Sequence, residues 1–357
     1  MEDQIVKFKD KEGLEREIEF DYEEDDTLDL SKKKVVSVDF ESIIKIPEIY
    51  EIDLGSNALE TIDLSPLKGY QTLTRFSLFK NQLKKIDLSP LAECPNLEEL
   101  NLGSNDFDSI DLSPLSSVGT LRRLRLFNNK FRSIDINPLS ECKSLETLEI
   151  ENNEISSIDL SPLSSCSNLL QLNLMYNRIT EIDISPLSMC TSLKFLYLHH
   201  NQIRTIDLKP LGSCKDFRIL RLGGNQLEEI DLNGLATCTQ LRRLGLAMNL
   251  IHHLDLSPLA NAEFLSSLDI AGNRLTKIDL SPLENCEELN ELYLFSDHPE
   301  ENEFTSVDIS PLFNCIELED FGVSDETELK SDKKLQDEDD LPLALEELIE
   351  NDRITWV

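Results

Sequence analysis

The sequence has few basic residues, with 34 Lys and Arg against 69 Asp and Glu, and its formal net charge is −35 over 357 residues. This balance argues against nonspecific binding to nucleic acid or to anionic membranes, because both attract positive charge. No stretch approaches the roughly 20 apolar residues that a membrane-spanning helix needs. The chain also lacks Asn-x-Ser/Thr sequons and an apolar leader after its acidic start. We therefore expect a cytoplasmic protein that binds neither nucleic acid nor membrane.

Motifs for catalysis are missing as well. The chain has no Walker loop, no Gly-x-Gly-x-x-Gly, no Gly-x-Ser-x-Gly and no His-Glu-x-x-His. No Cys-x-x-Cys pair offers zinc spacing either. The sequence predicts a protein that is not an enzyme and needs neither a cofactor nor a metal.

A single fixed period organises most of the chain. One series of aspartates recurs at every twenty-fourth position without a slip from Asp63 to Asp279; Asp39 extends it backward, and Asp308 extends it forward after a five-residue insertion near 298–302. A parallel series of asparagines runs from Asn57 to Asn273, with Asp297 as the next expected member. Because periods of this length are typical of solenoids, the chain length does not indicate a number of ordinary domains.

One repeat reads LEELNLGSNDFDSIDLSPLSSVGT, from Leu97 to Thr120. The pattern L-x-x-L-x-L-x-x-N-x-L resembles the leucine-rich repeat, and the remainder resembles its short-helix, 24-residue class. The resemblance implies an intracellular α/β protein. Its fold would be a right-handed solenoid with a curved parallel β-sheet inside and short helices or turns outside, closed by N- and C-terminal caps.

The ends of the chain depart from the period and are expected to be caps, because each repeat buries its apolar side only against its neighbours. Residues 1–48 are expected to form a cap from a hairpin and a degenerate repeat. Residues 49–317 would hold about eleven repeats. Residues 318–357 would form a second cap with a last strand, an acidic loop and an amphipathic helix over 343–349.

Within a repeat, several polar positions have a predicted structural role. Asn105 is expected to satisfy backbone groups where the chain leaves the strand. Ser113 is expected to cap a short helix that begins at Pro114. The aspartate series, represented by Asp111, is expected to accept backbone N–H groups at that bend, in preference to forming a calcium-binding ladder.

All eight cysteines occupy one repeat position, which Val118 and Ala262 fill in other repeats. A position that accepts valine or alanine is a small apolar core site, so we expect buried free thiols in a reducing compartment. The histidine doublets His199-His200 and His252-His253 occupy different repeat positions, which favours surface histidines over a metal site.

We define the strand face as the second, third, fifth, seventh and eighth residues of each repeat, which are expected to lie on or beside the concave side. Over the eleven repeats that start at Ile49 through Leu289, these positions carry a net charge of +1, although the chain carries −35. In the first five repeats the sign alternates from one repeat to the next, so these charges can pair across adjacent strands.

The repeats that start at Leu193, Phe217 and Leu241 differ, because their strand face carries cations without an acidic neighbour in the same repeats: Lys194, Arg218, Arg221, Arg242 and Arg243. Aromatic and flexible apolar residues accompany them, and such residues are enriched at binding hot spots. The predicted protein-binding site comprises Met175, Tyr176, Phe195, Tyr197, His199, Arg221 and Arg243. Arginine stacking on Tyr or Phe within the sheet is an equally weighted explanation.

The predicted function is a non-enzymatic, monomeric binding scaffold or adaptor. Its partner would be another protein with an acidic or phosphorylated surface. The family resemblance also implies an alternative, a regulatory subunit or GTPase-activating protein that acts on a phosphatase or small GTPase. A rigid spacer without a binding site is a third possibility.

Overall fold

A computed structural model describes residues 4–21, 25–46, 48–295, 301–338 and 340–357. The chain forms two compact units, an N-terminal unit of residues 1–178 and a C-terminal unit of residues 179–357. The cap boundaries at 48/49 and 317/318 remain predictions.

The described part of the N-terminal unit contains ten strands, one short α-helix and five 3₁₀ helices. The strands are β1 Gln4–Asp10, β2 Glu15–Phe20, β3 Thr27–Asp29, β4 Val35–Val38, β5 Glu51–Asp53, β6 Arg75–Ser77, β7 Glu99–Asn101, β8 Arg123–Arg125, β9 Thr147–Glu149 and β10 Gln171–Asn173. Helix α1 is Phe40–Ile43, and the 3₁₀ helices are Ser65–Leu67, Ser89–Glu93, Ser113–Ser117, Asn137–Glu141 and Ser161–Ser165. β2, β1 and β4 form an antiparallel sheet in that order, and β3 and β5–β10 form a parallel one.

The described part of the C-terminal unit contains nine strands. They are β11 Phe195–Tyr197, β12 Ile219–Arg221, β13 Arg243–Gly245, β14 Ser267–Asp269, β15 Glu291–Tyr293, β16 Ser306–Asp308, β17 Asp320–Gly322, β18 Glu328–Ser331 and β19 Ile354–Trp356. Its helices are the 3₁₀ helices Ser185–Met189, Lys209–Ser213, Leu232–Leu235, Ser257–Leu259, Ser281–Leu283, Ser310–Asn314 and Lys333–Leu335, and α2 Leu343–Glu350. β11–β15 and β17 form a parallel sheet, and β16, β18 and β19 form a second, smaller one.

In both units each parallel strand pairs with the strand one repeat away. Glu99 lies opposite Arg123, and Tyr197 lies opposite Arg221, the equivalent position of the next repeat in each case. Leu97, Leu100 and Leu102 are at most 1% exposed, because alternate strand residues point to the core. The residues between these leucines form the strand face. This α/β solenoid architecture confirms the fold class expected from the period.

The asparagine series satisfies the backbone at the end of each strand. Asn105 donates from Nδ2 to the carbonyl oxygens of Leu102 and of Leu78 in the preceding repeat, at 3.1 and 3.0 Å. Its Oδ1 accepts from the N–H of Leu83 at 3.1 Å. Buried backbone groups without partners are costly, so this side chain makes close stacking of repeats possible.

The insertion shifts the last member of the series. Asn302 donates to the carbonyl oxygens of Ile270 and Leu294 and accepts from the N–H of Leu275. It thus makes the bonds expected of the next asparagine, five residues later than the period predicts. Asp297, the member expected from the sequence, lies outside the described residues, as do 298–300 of the insertion.

The aspartate series accepts backbone hydrogen bonds, as expected. In all twelve members the side chain accepts from the N–H two residues later, at 2.8–3.1 Å. Hydrogen bonds from Ser89 lower the pKa of Asp87. The expectation for serine is wrong: Ser113 is the first residue of its 3₁₀ helix and Pro114 the second, and Asp111 supplies the side-chain acceptor.

All eight cysteines are buried, and none of them forms a disulfide bond. The Cys94 thiol donates to the carbonyl oxygen of Leu67 in the preceding repeat at 3.3 Å. Burial raises the pKa of Cys142 and of Cys214 to about 12, so these thiols stay protonated and unreactive.

Replacing Asn129 tests the importance of the asparagine series. Its Nδ2 donates to three carbonyl oxygens at 3.1–3.2 Å, and its Oδ1 accepts from Phe107 N–H at 3.2 Å. Asn129→Ala should lower the free energy of unfolding by about 3–4 kcal/mol, measured by urea denaturation, because buried backbone groups lose their partners. The control Asn168→Ala removes one exposed bond and should cost under about 1 kcal/mol. Equal losses would contradict this role.

Candidate protein-binding surface

The strand face of the N-terminal unit is held by ion pairs between neighbouring strands. Every arginine at the second, third or fifth repeat position of this unit pairs with a glutamate one repeat away. The pairs are Arg75–Glu51 at 2.7 Å, Arg122–Glu146 at 3.0 Å, Arg122–Glu98 at 3.7 Å, Arg123–Glu99, Arg125–Glu149 at 2.9 Å and Arg125–Glu99 at 3.6 Å. The expected pairing of alternating charges is thus present, and these charges neutralise one another within the sheet.

Glu151 is an exception on this surface. It is half-buried, and its Oε2 atom is shielded from solvent without a hydrogen-bond partner among the described residues. Burial raises the pKa of this carboxyl to about 7; the nearby Glu149 contributes to the rise, and Arg125 opposes it. Near neutral pH a large fraction of Glu151 is therefore uncharged.

Two members of the predicted site, Met175 and Tyr176, belong to the N-terminal unit. Met175 is half-buried, and Tyr176 is 49% exposed. Tyr176 has a φ of 53°, the left-handed conformation that recurs at the eighth repeat position. This conformation is unfavourable for a bulky residue, so the exposed tyrosine is kept at a backbone cost.

The other five members belong to the C-terminal unit, where β11, β12 and β13 are adjacent and in register. Phe195, Ile219 and Arg243 form one row across the three strands, and Tyr197, Arg221 and Gly245 form the next. Lys194, Arg218 and Arg242 form a third row, because each N–H donates to the carbonyl of the previous member at 2.8–2.9 Å. The structure therefore brings the five residues onto one surface of this unit.

We call Lys194, Arg218, Arg221, Arg242 and Arg243 the cationic patch. None of the five is within ion-pair distance of a carboxylate in the described parts of the chain. Neighbouring strands in a sheet are about 5 Å apart, so like charges in one row repel. The patch therefore lacks the compensation that every arginine at these positions has in the N-terminal unit.

Arg221 has an acidic neighbour that the sequence analysis missed. A Cβ on Gly245 would lie 3.0 Å from Cδ of Arg221, so the arginine side chain occupies the space above this glycine. On the far side of Gly245, Asp269 of β14 continues the same row. Burial raises the pKa of Asp269, and the charge of Arg221 opposes that rise. The sequence contains the reason for this proximity: Gly245, which lies between Arg221 and Asp269 in the row, has no side chain.

Stacking of the patch on aromatic rings is limited. Among the described residues, Arg242 lies 5.8 Å from the ring centre of Phe264, and no other arginine of the patch makes such a contact. The Nε atom of Arg218 is shielded from solvent and has no hydrogen-bond partner in the described ranges. Internal stacking therefore accounts for one of the five cations.

Phe195, Tyr197 and His199 are half-buried beside the patch, and His200 is exposed. The rings of Tyr197, His199 and His200 pack edge to face. The Tyr197 and His199 rings are 6.3 Å apart, and the His199 and His200 rings are 5.5 Å apart. Burial, with His200 and Arg221 nearby, lowers the pKa of His199 to about 4. His199 is therefore neutral at physiological pH and adds shape and polarity, not charge, to the surface.

Beyond β13 the strand face of the C-terminal unit changes sign. Asp269, Glu291 and Asp320 lie on β14, β15 and β17. Tyr293 lies over Gly322, and its hydroxyl is 3.4 Å from Oδ2 of Asp320. The cations are thus confined to three adjacent strands.

Of the remaining histidines, the structure describes His252 and His253. His252 and His253 are exposed and line an open groove of about 670 Å³ with Glu228 and Glu229. Within the described ranges, no group of three or more His, Cys, Asp or Glu side chains is arranged to hold a metal ion. His298 lies outside those ranges.

Glu151 generates a prediction about pH. The pKa of Glu151 is raised from 4.5 to about 7 in the folded state. The protonated side chain therefore contributes stability fully below about pH 4.5, and this contribution is lost as the pH rises through 7. Glu151→Gln should remove this loss and gain about 1–2 kcal/mol over the wild type at pH 8, after allowance for solvent screening. Urea denaturation at pH 5 and pH 8 measures the difference.

The control for this prediction is Glu98→Gln, a more exposed and ion-paired glutamate on the same strand face. The control should not gain stability at pH 8. If Glu151→Gln has the same pH dependence as the wild type, the carboxyl is ionised at no cost and the assignment is wrong.

Comparisons with known proteins agree with this architecture. A family model described as "Leucine rich repeat" matches residues 47–107 and 119–179, and one described as "Leucine Rich repeats (2 copies)" matches residues 167–211. A search of curated proteins finds no significant match.

Several solved structures are similar. An internalin, InlF, from Listeria monocytogenes is 27% identical, with 85% of this chain and 88% of that chain covered and a TM-score of 0.62. A leucine-rich repeat protein of Leptospira interrogans is 18% identical, with 87% and 86% covered and a TM-score of 0.69. The functional domain of InlJ from Listeria monocytogenes, which is described as including a cysteine ladder, is 25% identical, with 85% and 64% covered and a TM-score of 0.62.

Across the described residues, no helix has the length and apolar character needed to cross a membrane. The repeat period, the in-register parallel strands, the asparagine series and the matching family models all agree. The chain is a leucine-rich repeat protein.

Proposed function

We propose that this protein is a non-enzymatic scaffold that binds another protein through the strand face of its C-terminal unit. The proposed contact residues are the cationic patch together with Phe195, Tyr197 and His199. Met175 and Tyr176 of the N-terminal unit are proposed as further contact residues. The leucine-rich repeat fold is that of protein-interaction scaffolds, which supports the general role but identifies no partner.

One observation carries the proposal: the cations of β11–β13 have no ion-pair partner among the described residues, whereas the arginines at equivalent positions of the N-terminal unit are all paired. Lys194, Arg218 and Arg242 form one row of like charge across three adjacent strands, and such a row lowers the stability of a sheet. An anionic partner would remove that repulsion.

The chemistry of the patch defines the partner. Four of the five cations are arginines, which bind carboxylate and phosphate groups through two parallel hydrogen bonds. Tyr197 and Phe195 are half-buried beside them and offer rigid apolar contacts. We therefore propose a protein segment with acidic or phosphorylated side chains next to an apolar anchor.

No observation in the described residues favours the alternative of a regulatory subunit or GTPase-activating protein. The patch offers charge complementarity, and its arginines lie on strands of a regular sheet or directly before them. The proposal is therefore limited to binding.

We further propose that the protein acts as a monomer in a reducing compartment such as the cytoplasm. The support is chemical: the eight cysteines are buried at one repeat position and form no disulfide bond. A reducing compartment keeps such thiols intact whenever the chain transiently unfolds.

Replacing Tyr197 and Arg221 together with alanine tests the proposal. The probes are two fluorescent peptides of equal length with one central Leu, one rich in Asp and Glu and one in phosphoserine. The double variant should bind at least about tenfold more weakly, because it removes an aromatic anchor and a charge-assisted pair. Fluorescence anisotropy at low and high salt measures affinity, which should fall with salt.

The matched control is Arg123→Ala with Tyr293→Ala, which removes the same residue types from the strand face outside the patch. It should change the affinity less than about threefold, and the melting temperature of Tyr197→Ala/Arg221→Ala should be nearly that of the wild type. If both double variants bind equally well, the site assignment is wrong.

A further inference from the structure

A second surface of the C-terminal unit lies away from its strand face. Here an open groove of about 440 Å³ is lined by the 3₁₀ helix Ser310–Asn314, by residues just after the 3₁₀ helix Ser281–Leu283, and by the segment after Ser331. We call it the C-terminal groove. It shares no residue with the cationic patch.

The floor of the C-terminal groove breaks the repeat pattern. Phe313 and Ile316 occupy positions that hold Ser116 and Gly119 in the repeat of Leu97, and Lys, Ser, Thr or Glu in most others. Phe313 is explained by the end of the chain, since its ring lies 6.1 Å from that of Trp356 and it is only 6% exposed. Ile316 is 58% exposed.

Packing against the end of the chain therefore explains the apolar residue Phe313. It does not explain Ile316, which remains exposed. Leu335 lines the same groove and is half-buried. Ile316 and Leu335 thus provide an apolar floor that is open to a ligand.

The rim of the C-terminal groove is acidic. Glu284, Glu287, Glu338 and Asp340 line it, and all four are exposed. None of them forms an ion pair within the described ranges, and the described lining contains no Lys, Arg or His. An apolar floor inside an uncompensated acidic rim complements a segment that is apolar in the middle and basic at its flanks.

We infer that the C-terminal groove binds a short basic amphipathic segment of another protein. A leucine-sized side chain of that segment would contact Ile316 and Leu335, and Lys or Arg side chains on either side would pair with the rim. This partner is the opposite in charge to the one proposed for the cationic patch, so the two surfaces can bind different proteins.

The test uses a fluorescent 12-residue peptide with two central Leu residues flanked by Lys, and two reference peptides. One reference replaces Leu by Ser, and the other replaces Lys by Glu. The Leu/Lys peptide should bind the full chain at least about fivefold more tightly than the Ser/Lys peptide, and the Leu/Glu peptide should not bind. Equal affinity for the first two would show general attraction to an acidic protein and would overturn the proposal.

Variants locate the binding site. Ile316→Ser introduces the residue that another repeat carries at this position, Ser167. The fold should therefore be retained, and binding should weaken about fivefold. Glu284→Gln with Glu338→Gln should weaken binding to a similar extent at low salt and have less effect at high salt. Unfolding transitions of these variants should match that of the wild type.

Two matched controls come from the same unit. Met189→Ser removes a side chain that is 59% exposed next to the cysteine position of another repeat, and Glu228→Gln with Glu229→Gln removes two exposed carboxylates elsewhere. Both should change affinity less than about twofold. Equal losses in the controls would overturn the proposal.

Dimerisation of the chain would also overturn the proposal if sedimentation equilibrium shows that Ile316→Ser abolishes it, because a second copy of the chain would then occupy the groove.

Discussion

The satisfaction of backbone groups at the end of each strand is the constraint on which the rest of the structure depends. A chain that turns once in every repeat leaves N–H and C=O groups inside the stack, where water cannot reach them. Asn105 and its equivalents bond to their own repeat and to the preceding one. They fix both the turn and the register, and the insertion after β15 is accommodated because Asn302 restores the same bonds.

Because the register is fixed, residues at equivalent positions of successive repeats become neighbours on the surface of the sheet. Glu99 and Arg123 are one full repeat apart in the sequence and lie side by side, so repeats of alternating sign produce a neutral strand face in the N-terminal unit. Repeats of equal sign produce a concentration of charge, as in Lys194, Arg218 and Arg242. Because much of the acidity of the chain resides in the structural aspartate series, a strongly negative protein can still present a cationic surface.

The repeated features were predictable from the sequence and the exceptions were not. The period predicted the parallel strands, the asparagine bonds and the aspartate acceptors, because each recurs from repeat to repeat. It also predicted the buried thiols, because all eight cysteines share one repeat position. Ser113 was misassigned because Asp111 takes the capping role two residues earlier. The sheet of β16, β18 and β19 was not predicted, since it has no period, and the reach of Arg221 over Gly245 depends on side-chain geometry. The binding site itself remains a prediction.

Chemical labelling of arginines in a complex tests the central proposal most directly. The chain would be used to capture its partner from native lysate, and the purified complex would be treated with phenylglyoxal and analysed by mass spectrometry. We predict that modification of Arg218, Arg221 and Arg243 slows on complex formation, whereas Arg132 and Arg204, which are exposed and lie off the strand face, react as in the free protein. Unchanged labelling of the three patch arginines, with protection elsewhere, would contradict the proposal.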